Sequence, residues 1–247
     1  SGDLLGDDLQ DVAVRLHNGV TIFDNCEFTN ITVDYTDYCC GDGYGGAVRS
    51  DGNSTLHFNQ SRLTNITLKR TDLGYIHGAV LSLDGAEPDV KLVNTIIADN
   101  SLSYEGPPDN GYPPSGGVIR WGGSGGHLQL INSTVVNNKL ITTDSYNNQG
   151  SFINMSDGWD DGNTPYLTIF NSIIHNNTTV TNAGGQFETT TNNGQFHIND
   201  NYNDGVEAYA SYSIIGGDDD LGGDEILNLE PEFLDSTYAL HNRSPAI

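Results

Sequence analysis

Two clusters of carboxylates are the residues in this chain whose types and spacing best suit chemistry. One lies in Gly216–Glu225, where three consecutive aspartates and a fourth are flanked by paired glycines, and the other lies in Asp157–Asn163. Carboxylate and carbonyl oxygens are the ligands that Ca²⁺ prefers, so both clusters are candidate calcium sites. Neither has the spacing of an EF-hand loop, and a solvated acidic turn stays the alternative for each. The candidate metal ligands are Asp218, Asp219, Asp220, Asp224, Asp157, Asp160 and Asp161.

Arg49 and Arg120 are the candidates for acid–base chemistry on a polysaccharide. They follow glycine-containing motifs at similar places, and Arg120-Trp121 could face a groove together with Asp51. A lyase needs such a base to remove a proton next to a carboxylate, but a single arginine per repeat is more often the structural partner of an aspartate. The histidines form no metalloprotease or catalytic-triad pattern. The sequence therefore favours a protein without catalytic residues and leaves a polysaccharide lyase or hydrolase as the alternative.

Aromatic residues and glycosylation motifs are the features that point to glycans. Aromatic rings stack on sugar rings, although they are also common as packing residues; the candidates for stacking are Tyr104, Tyr112, Trp121 and Trp159. Nine asparagines begin an Asn-x-Ser/Thr motif without an intervening proline, so they are candidate attachment points in a host that glycosylates. These asparagines are Asn30, Asn53, Asn59, Asn65, Asn132, Asn154, Asn176, Asn177 and Asn242.

The three cysteines allow one disulfide. Cys26 is predicted to pair with Cys39 or with Cys40, which leaves one thiol over, and the alternative is that all three are reduced. Neither their spacing nor nearby histidines fit a tetrahedral zinc site.

One segment recurs along the chain roughly every 35 to 40 residues. The best copies are Val90–Asn100, Leu128–Asn138 and Tyr166–Asn177, with looser copies at Val20–Asn30 and Leu56–Asn65. Each copy has a short segment of alternating apolar residues, a central polar residue and a second short segment, a pattern typical of two strands joined by a corner. Stacked copies would align the central side chains in an amide ladder. The predicted ladder residues are Asn25, Gln60, Asn94, Asn132 and Asn171.

Small residues that allow a tight corner stand before most copies, as in Gly45-Gly46-Ala47 and Gly116-Gly117-Val118. One repeat alone cannot bury its apolar side, so the repeats must stack. No stretch has the periodicity of an amphipathic helix. The sequence therefore predicts an all-β fold, a single-stranded right-handed parallel β-helix with loop insertions over residues 19–247. Residues 1–18 are predicted to form an N-terminal arm or a first partial coil.

The charge of the chain limits its partners. The formal net charge is −24, with only nine lysines and arginines, which disfavours nucleic acids and anionic membranes. No apolar run is long enough to span a bilayer, so no membrane insertion is expected within this segment. An acidic surface of this kind suits a secreted protein that must stay soluble or that binds divalent cations.

The repeats and the C-terminal motifs resemble known bacterial surface proteins. The Gly-Gly-Ala and asparagine repeats are similar to those of polymorphic outer-membrane proteins. The tail resembles the end of secreted right-handed β-helix proteins with a C-terminal surface anchor, of the choice-of-anchor type. The resemblance implies the β-helix fold and an extracellular or cell-surface location. The tail motifs are Pro231-Glu232-Phe233, Tyr238-Ala239-Leu240 and Ser244-Pro245-Ala246-Ile247.

These observations together predict an extracellular structural protein. We expect a β-helix subunit of a surface fibre, sheath or adhesin, which associates with other copies of itself through its coil ends or its N-terminal arm. Glycans are the other expected partner, and Ca²⁺ is the only expected cofactor. The alternative function is a carbohydrate-active enzyme or a glycan-binding β-helix module.

Overall fold

The structure is a computed structural model that describes residues 13–35, 43–85, 87–107, 114–143, 150–156, 163–183, 186–190, 195–199, 206–216, 221–235 and 237–240. The described residues form strands and connecting segments without a helix. In the first half of the chain the strands are β1 (Val14–Leu16), β2 (Gly19–Asp24), β3 (Glu27–Tyr35), β4 (Gly43–Tyr44), β5 (Val48–Ser50), β6 (Ser54–Asn59), β7 (Arg62–Arg70), β8 (Ile76–His77), β9 (Leu81–Leu83), β10 (Asp89–Val93), β11 (Ile96–Ala98) and β12 (Ser101–Tyr104). In the second half they are β13 (Ile119–Trp121), β14 (His127–Ile131), β15 (Thr134–Val136), β16 (Lys139–Thr142), β17 (Ile153–Ser156), β18 (Tyr166–Phe170), β19 (Ile173–His175), β20 (Thr178–Ala183), β21 (Gln186–Thr190), β22 (Phe196–Asn199), β23 (Glu207–Ile215) and β24 (Gly222–Leu227).

The strands stack in parallel as a right-handed β-solenoid, which confirms the predicted fold. Successive coils add β1, β5, β9, β13, β17 and β22 in this order to a six-stranded sheet, called here the short sheet. A sixteen-stranded sheet, the long sheet, contains the two or three further strands of each coil, such as β10, β11 and β12. All pairs are parallel except the hairpin of β20 and β21 and an isolated bridge between Phe233 and Leu240. Val14–Leu16, from the predicted arm or partial coil, pairs with Val48–Ser50 of β5.

Alternation along each strand decides which side chains form the core. Leu128 and Leu130 of β14 and Val135 of β15 are fully buried, whereas Gln129 and Ile131 between them are partly exposed. Because the coils are in register, the same alternation recurs above and below, as in Leu92 opposite Leu130. The inward columns therefore form one continuous apolar core along the solenoid.

Two corners in each coil have left-handed backbone conformations, and these account for the recurring asparagines. At the first corner φ lies between 47° and 53° for Asn25, Gln60, Asn94, Asn132 and Asn171. At the second corner φ lies between 53° and 58° for Asn30, Asn65, Asp99, Asn137 and Asn176. Asparagine and aspartate tolerate this region better than other non-glycine residues because their short polar side chains bond locally. The repeat thus places its amides where the chain must turn.

A buried amide ladder lies next to the second corner. Asn100, Asn138 and Asn177 are at most 1% exposed. Asn100 Nδ2 donates to Asn138 Oδ1 at 2.8 Å, and Asn138 Nδ2 donates to Asn177 Oδ1 at 2.7 Å. A second ladder of hydroxyls follows the first corner, where the backbone N–H of Thr95 donates to Ser133 Oγ at 3.2 Å. Both ladders satisfy polar groups inside the solenoid that would otherwise be costly to bury.

The tail (residues 228–235 and 237–240) packs against the outer side of the long sheet. Tyr238 and Phe233 stack edge to face with centroids 5.4 Å apart, and Tyr238 packs on Ala98 and Val136. Arg62 Nη1 also donates to the Thr237 carbonyl at 3.4 Å. The tail therefore covers apolar residues that β11 and β15 present on the outside.

The described residues contain no helix long and apolar enough to cross a membrane.

Candidate functional site

Four exposed aromatic side chains lie together on the outer side of the long sheet. Tyr166, Phe170, Tyr209 and Tyr212, called here the aromatic face, are 44–61% exposed. Aromatic rings of this size are more often buried, so a group of four on one surface is a candidate binding surface.

The register of β18 and β23 brings these side chains together. Leu167 and Ile169 point into the core, so Tyr166 and Phe170 at the ends of β18 point outwards. Tyr209 pairs with Thr168, between those two rings. Beyond the strand pair, the rings of Phe170 and Tyr212 lie edge to face with centroids 5.7 Å apart.

Polar side chains border the aromatic face. His127 Nε2 lies 2.8 Å from Thr168 Oγ1, and Gln129 Nε2 lies 3.1 Å from His127 Nδ1. Burial is the main cause that lowers the pKa of His127, which favours the neutral imidazole. The Tyr209 hydroxyl donates to Asp224 Oδ2 at 3.4 Å. The surface therefore combines flat rings with hydrogen-bonding side chains and the Asp224 carboxylate.

A group of charged residues lies on the outer side of the short sheet. Arg15, Arg49 and Arg120 occupy one column across β1, β5 and β13, with Ser82 of β9 between the last two. Arg15 Nε lies 2.6 Å from Asp51 Oδ2, while Arg49 pairs with Asp51 and lies 3.8 Å from Asp84 Oδ2. The ion pairs thus cross from one coil to the next and join the coils.

Burial shapes the ionisation of this charged column. Desolvation raises the pKa of Asp84, although the positive charges of Arg120 and Arg49 oppose the shift. Desolvation also lowers the pKa of Arg120, opposed by Asp84 and Tyr44. The guanidinium of Arg49 is 3.8 Å from the centroid of the Tyr44 ring, and the residue is 8% exposed. Arg49 is thus held between a carboxylate and a ring, which suits structural pairing better than proton abstraction.

Two of the four predicted glycan-stacking residues do not lie on the surface. Trp121 and Tyr104 are fully buried, because both alternate into the core. The Trp121 indole donates to the Gly125 carbonyl at 3.2 Å and the Tyr104 hydroxyl to the Pro107 carbonyl at 3.4 Å. Tyr112 and Trp159 lie outside the described residues. Strand alternation is the signal in the sequence that identifies outward side chains. It places Gln129 and Ile131 of β14 outwards, and in the next coil it places Tyr166 and Phe170 of β18 outwards.

The predicted calcium ligands are almost all outside the described residues. Asp157, Asp160, Asp161, Asp218, Asp219 and Asp220 belong to that part of the chain, and only Asp224 is described, as an exposed residue of β24. Within the described ranges no group of three or more histidine, cysteine, aspartate or glutamate side chains is arranged to hold a metal ion.

The structure separates the glycosylation motifs by exposure. Asn30, Asn53, Asn65, Asn132 and Asn176 are exposed, and Asn59 is partly exposed. Asn154 and Asn177 are 6% and 1% exposed, so a folded chain cannot present them to a transferase. Asn242 lies outside the described residues.

The five predicted ladder residues are stacked but exposed. They form the first corner, where the backbone N–H of each bonds to the next coil, as Asn132 N does to Phe170 O at 3.0 Å. One side-chain bond joins two of them, from Asn171 Nδ2 to Asn132 Oδ1 at 2.7 Å. The buried ladder of Asn100, Asn138 and Asn177 is a different set, which ends the three best copies of the repeat.

Cys26 is a free thiol in this structure, with its Sγ 3.5 Å from the Asp24 carbonyl oxygen. Both predicted partners, Cys39 and Cys40, lie outside the described residues.

Comparison of the chain with protein-family models, with curated proteins and with solved structures finds no match. The resemblance to anchored surface proteins therefore stays a prediction.

Proposed function

We propose that this chain is a rigid extracellular module that binds a neutral glycan on its aromatic face, as part of a surface adhesin. The observation that supports this proposal is the group of four exposed rings, Tyr166, Phe170, Tyr209 and Tyr212, on adjacent strands. Stacked parallel strands hold the rings at fixed spacing, so a sugar chain meets a preorganised surface and less entropy is lost on binding.

Charge favours a neutral ligand for this surface. Asp224 contacts Tyr209, and Glu207 pairs with Tyr166 in the ladder between β18 and β23. These carboxylates repel an acidic polysaccharide, and the net charge of −24 adds to the repulsion. A neutral polysaccharide presents apolar ring faces for stacking and hydroxyls for Gln129, Thr168 and the tyrosines.

Affinity electrophoresis with soluble neutral polysaccharides tests this proposal. We expect retardation of the native chain by at least one neutral glucan, xylan or mannan. The double variant Tyr166→Ala/Tyr209→Ala should lose about thirtyfold in affinity for that polymer, since each ring contributes roughly 1 kcal/mol. His57→Ala is the matched control, because His57 points outwards from β6 in the same column as Tyr209. Equal retardation of the native chain and the double variant would refute the proposal.

Self-association is the second candidate function, and the edges of the long sheet favour it. Among the described residues β24 pairs only with β23, and β2 pairs only with β6, so each has one free edge. Such edges can pair with a strand of another copy. Asp24 and Asp224 lie in the same column of the sheet, so two copies that continued the stack would bring these like charges together. We expect association to require salt, acid or a divalent cation.

Light scattering with and without CaCl₂ tests self-association. We expect larger particles in CaCl₂, and in its absence we expect Asp224→Asn to associate more than the native chain. Particles of monomer size in every condition, including the variant, would refute it.

A further inference from the structure

A polar groove runs along the second corner of the solenoid, away from the aromatic face. Two adjoining cavities of about 710 and 280 Å³ share Asn137 and Asn176 as lining residues. The larger is also lined by Asp99, Ser101, Lys139 and Thr178. The tail contributes Glu230, Pro231 and Phe233 to the smaller.

A chain of oriented hydrogen bonds, called here the floor, joins the corner side chains that line this groove to Tyr238 of the tail. Asn176 Nδ2 donates to Asn137 Oδ1 at 2.6 Å, and Asn137 Nδ2 donates to the Tyr238 hydroxyl at 3.1 Å. The Tyr238 hydroxyl in turn donates to Asp99 Oδ2 at 2.5 Å. These bonds fix the amides before any ligand arrives, and Asn176 itself is exposed. Residues from three successive coils and from the tail thus form one polar strip.

The charges that line the corner groove select the ligand. Lys139 is exposed and forms no ion pair within the described part of the chain, so it presents donors to the groove. Asp99 and Glu230 offset its charge, and Glu230 lies 3.5 Å from His175 Nε2. An acidic ligand would meet these carboxylates, whereas a ligand with many neutral hydroxyls can use donors and acceptors alike.

We propose that the corner groove is a second binding site, which takes a neutral oligosaccharide lying along the solenoid axis. Asp99, Asn137 and Asn176 occupy the same corner position in successive coils, roughly 4.8 Å apart, so a sugar chain along the axis meets a polar side chain at each step. The site is independent of the aromatic face, and the tail forms one of its walls.

NMR titration of isotope-labelled protein with cellohexaose, xylohexaose and chitohexaose locates binding by residue. We expect the resonances of Asn137, Lys139 and Asn176 to shift with at least one of these probes. Hexagalacturonate is an acidic probe of equal length. At the same concentration it should change the chemical shifts of these residues at least tenfold less. Shifts confined to the aromatic face would overturn this proposal and leave the first one standing.

Two variants test the role of the floor. Asn176→Gly removes the amide but keeps the corner, since glycine adopts φ near 53° without strain. Tyr238→Phe removes the hydroxyl and keeps the ring on the apolar residues below it. Each should weaken binding of the neutral probe about tenfold, the effect of losing one or two hydrogen bonds. Asn94→Gly at the first corner, where φ is 50°, is the matched control. Unchanged affinity in Asn176→Gly, or an equal loss in Asn94→Gly, would overturn the site.

Discussion

In the coils that contain Asn137-Asn138 and Asn176-Asn177, asparagine occupies two kinds of position that are adjacent in the sequence. Asn137 is at the second corner with φ near 57°, while Asn138 next to it is buried and bonded to Asn177. The first position needs a residue that tolerates the left-handed region, and the second needs a side chain that donates and accepts. Substitution at the two positions should therefore have different costs.

Asn138→Ala should be the most destabilising change in the buried ladder. Asn138 Oδ1 accepts from both the backbone and the side chain of Asn100, at 3.0 and 2.8 Å. Its Nδ2 donates to Asn177 Oδ1 and to the Ile97 carbonyl. Removal leaves several buried groups unsatisfied, which costs about 3 kcal/mol in the free energy of unfolding. Urea denaturation measures this loss. Asn132→Gly at the exposed corner should cost less than about 1 kcal/mol, and equal losses would contradict the distinction.

His77 should make the stability of the fold depend on pH. Burial lowers its pKa well below 6.5, and Arg120, Arg49 and Arg70 lower it further. Its Nδ1 lies 2.5 Å from Ser115 Oγ, and its ring stacks on Tyr75. Below about pH 6.5 His77 is protonated in the unfolded chain but stays neutral in the folded chain. The contribution of His77 to the free energy of unfolding is therefore fully present above that pH and is lost as the pH drops below it.

Thermal unfolding between pH 8 and pH 5 checks this expectation. The melting temperature of the native chain should fall below pH 6.5, and His77→Gln should show a smaller fall although it starts lower. His57→Gln, on the outer side of β6, should keep the native slope. Burial also lowers the pKa values of His127 and His197, so some slope should persist in His77→Gln. If the melting temperature of His77→Gln falls with pH as steeply as that of the native chain, His77 is not a main source of the pH dependence.

At the scale of elements, the corners that lead into the short sheet depend on glycine. Gly116 has φ of 66°, and a Cβ there would lie 2.1 Å from the Ile119 carbonyl oxygen. Gly116→Ala should therefore lower the free energy of unfolding by about 3 kcal/mol or more, through strain and the displaced backbone. At Gly222 in β24 the nearest atom to such a Cβ is 3.4 Å away, so Gly222→Ala should cost less than about 1 kcal/mol. Chemical denaturation of both variants measures these two losses in the free energy of unfolding.

The elements were predictable from the sequence because their physical signals are local. Alternation in each copy predicts the strands, in which Leu128 and Leu130 are indeed buried, and glycines such as Gly116 mark the corners. The site was less predictable, since the outward direction of a ring depends on register across coils. Trp121 lies in β13, a strand of only three residues, too few for alternation in the sequence to show that its ring is buried. The Tyr238 contact with Asp99 joins residues 139 positions apart, and no repeat in the sequence indicates it.

At the scale of the whole molecule, the excess of negative charge opposes compaction. Thirty-three acidic residues face only nine basic ones, and three of the arginines are already engaged in the charged column. Added salt screens the remaining repulsion. The melting temperature should therefore rise by several degrees as NaCl is increased at neutral pH, as differential scanning calorimetry would show. A falling melting temperature would mean that the cross-coil ion pairs outweigh the repulsion.

Calcium should stabilise the molecule beyond this general screening if the aspartate clusters bind it. The comparison is the melting temperature in CaCl₂ against NaCl and MgCl₂ at equal ionic strength, on protein first treated with a chelator. Specific sites predict a further rise in CaCl₂ alone, because Ca²⁺ accepts irregular oxygen cages that Mg²⁺ does not. The triple variant Asp218→Asn/Asp219→Asn/Asp220→Asn should lose that rise. The control Asp24→Asn/Asp89→Asn/Glu207→Gln removes the same charge from the face of the long sheet and should keep it. Equal melting temperatures in the three salts would show that the clusters are solvated acidic turns and not calcium sites.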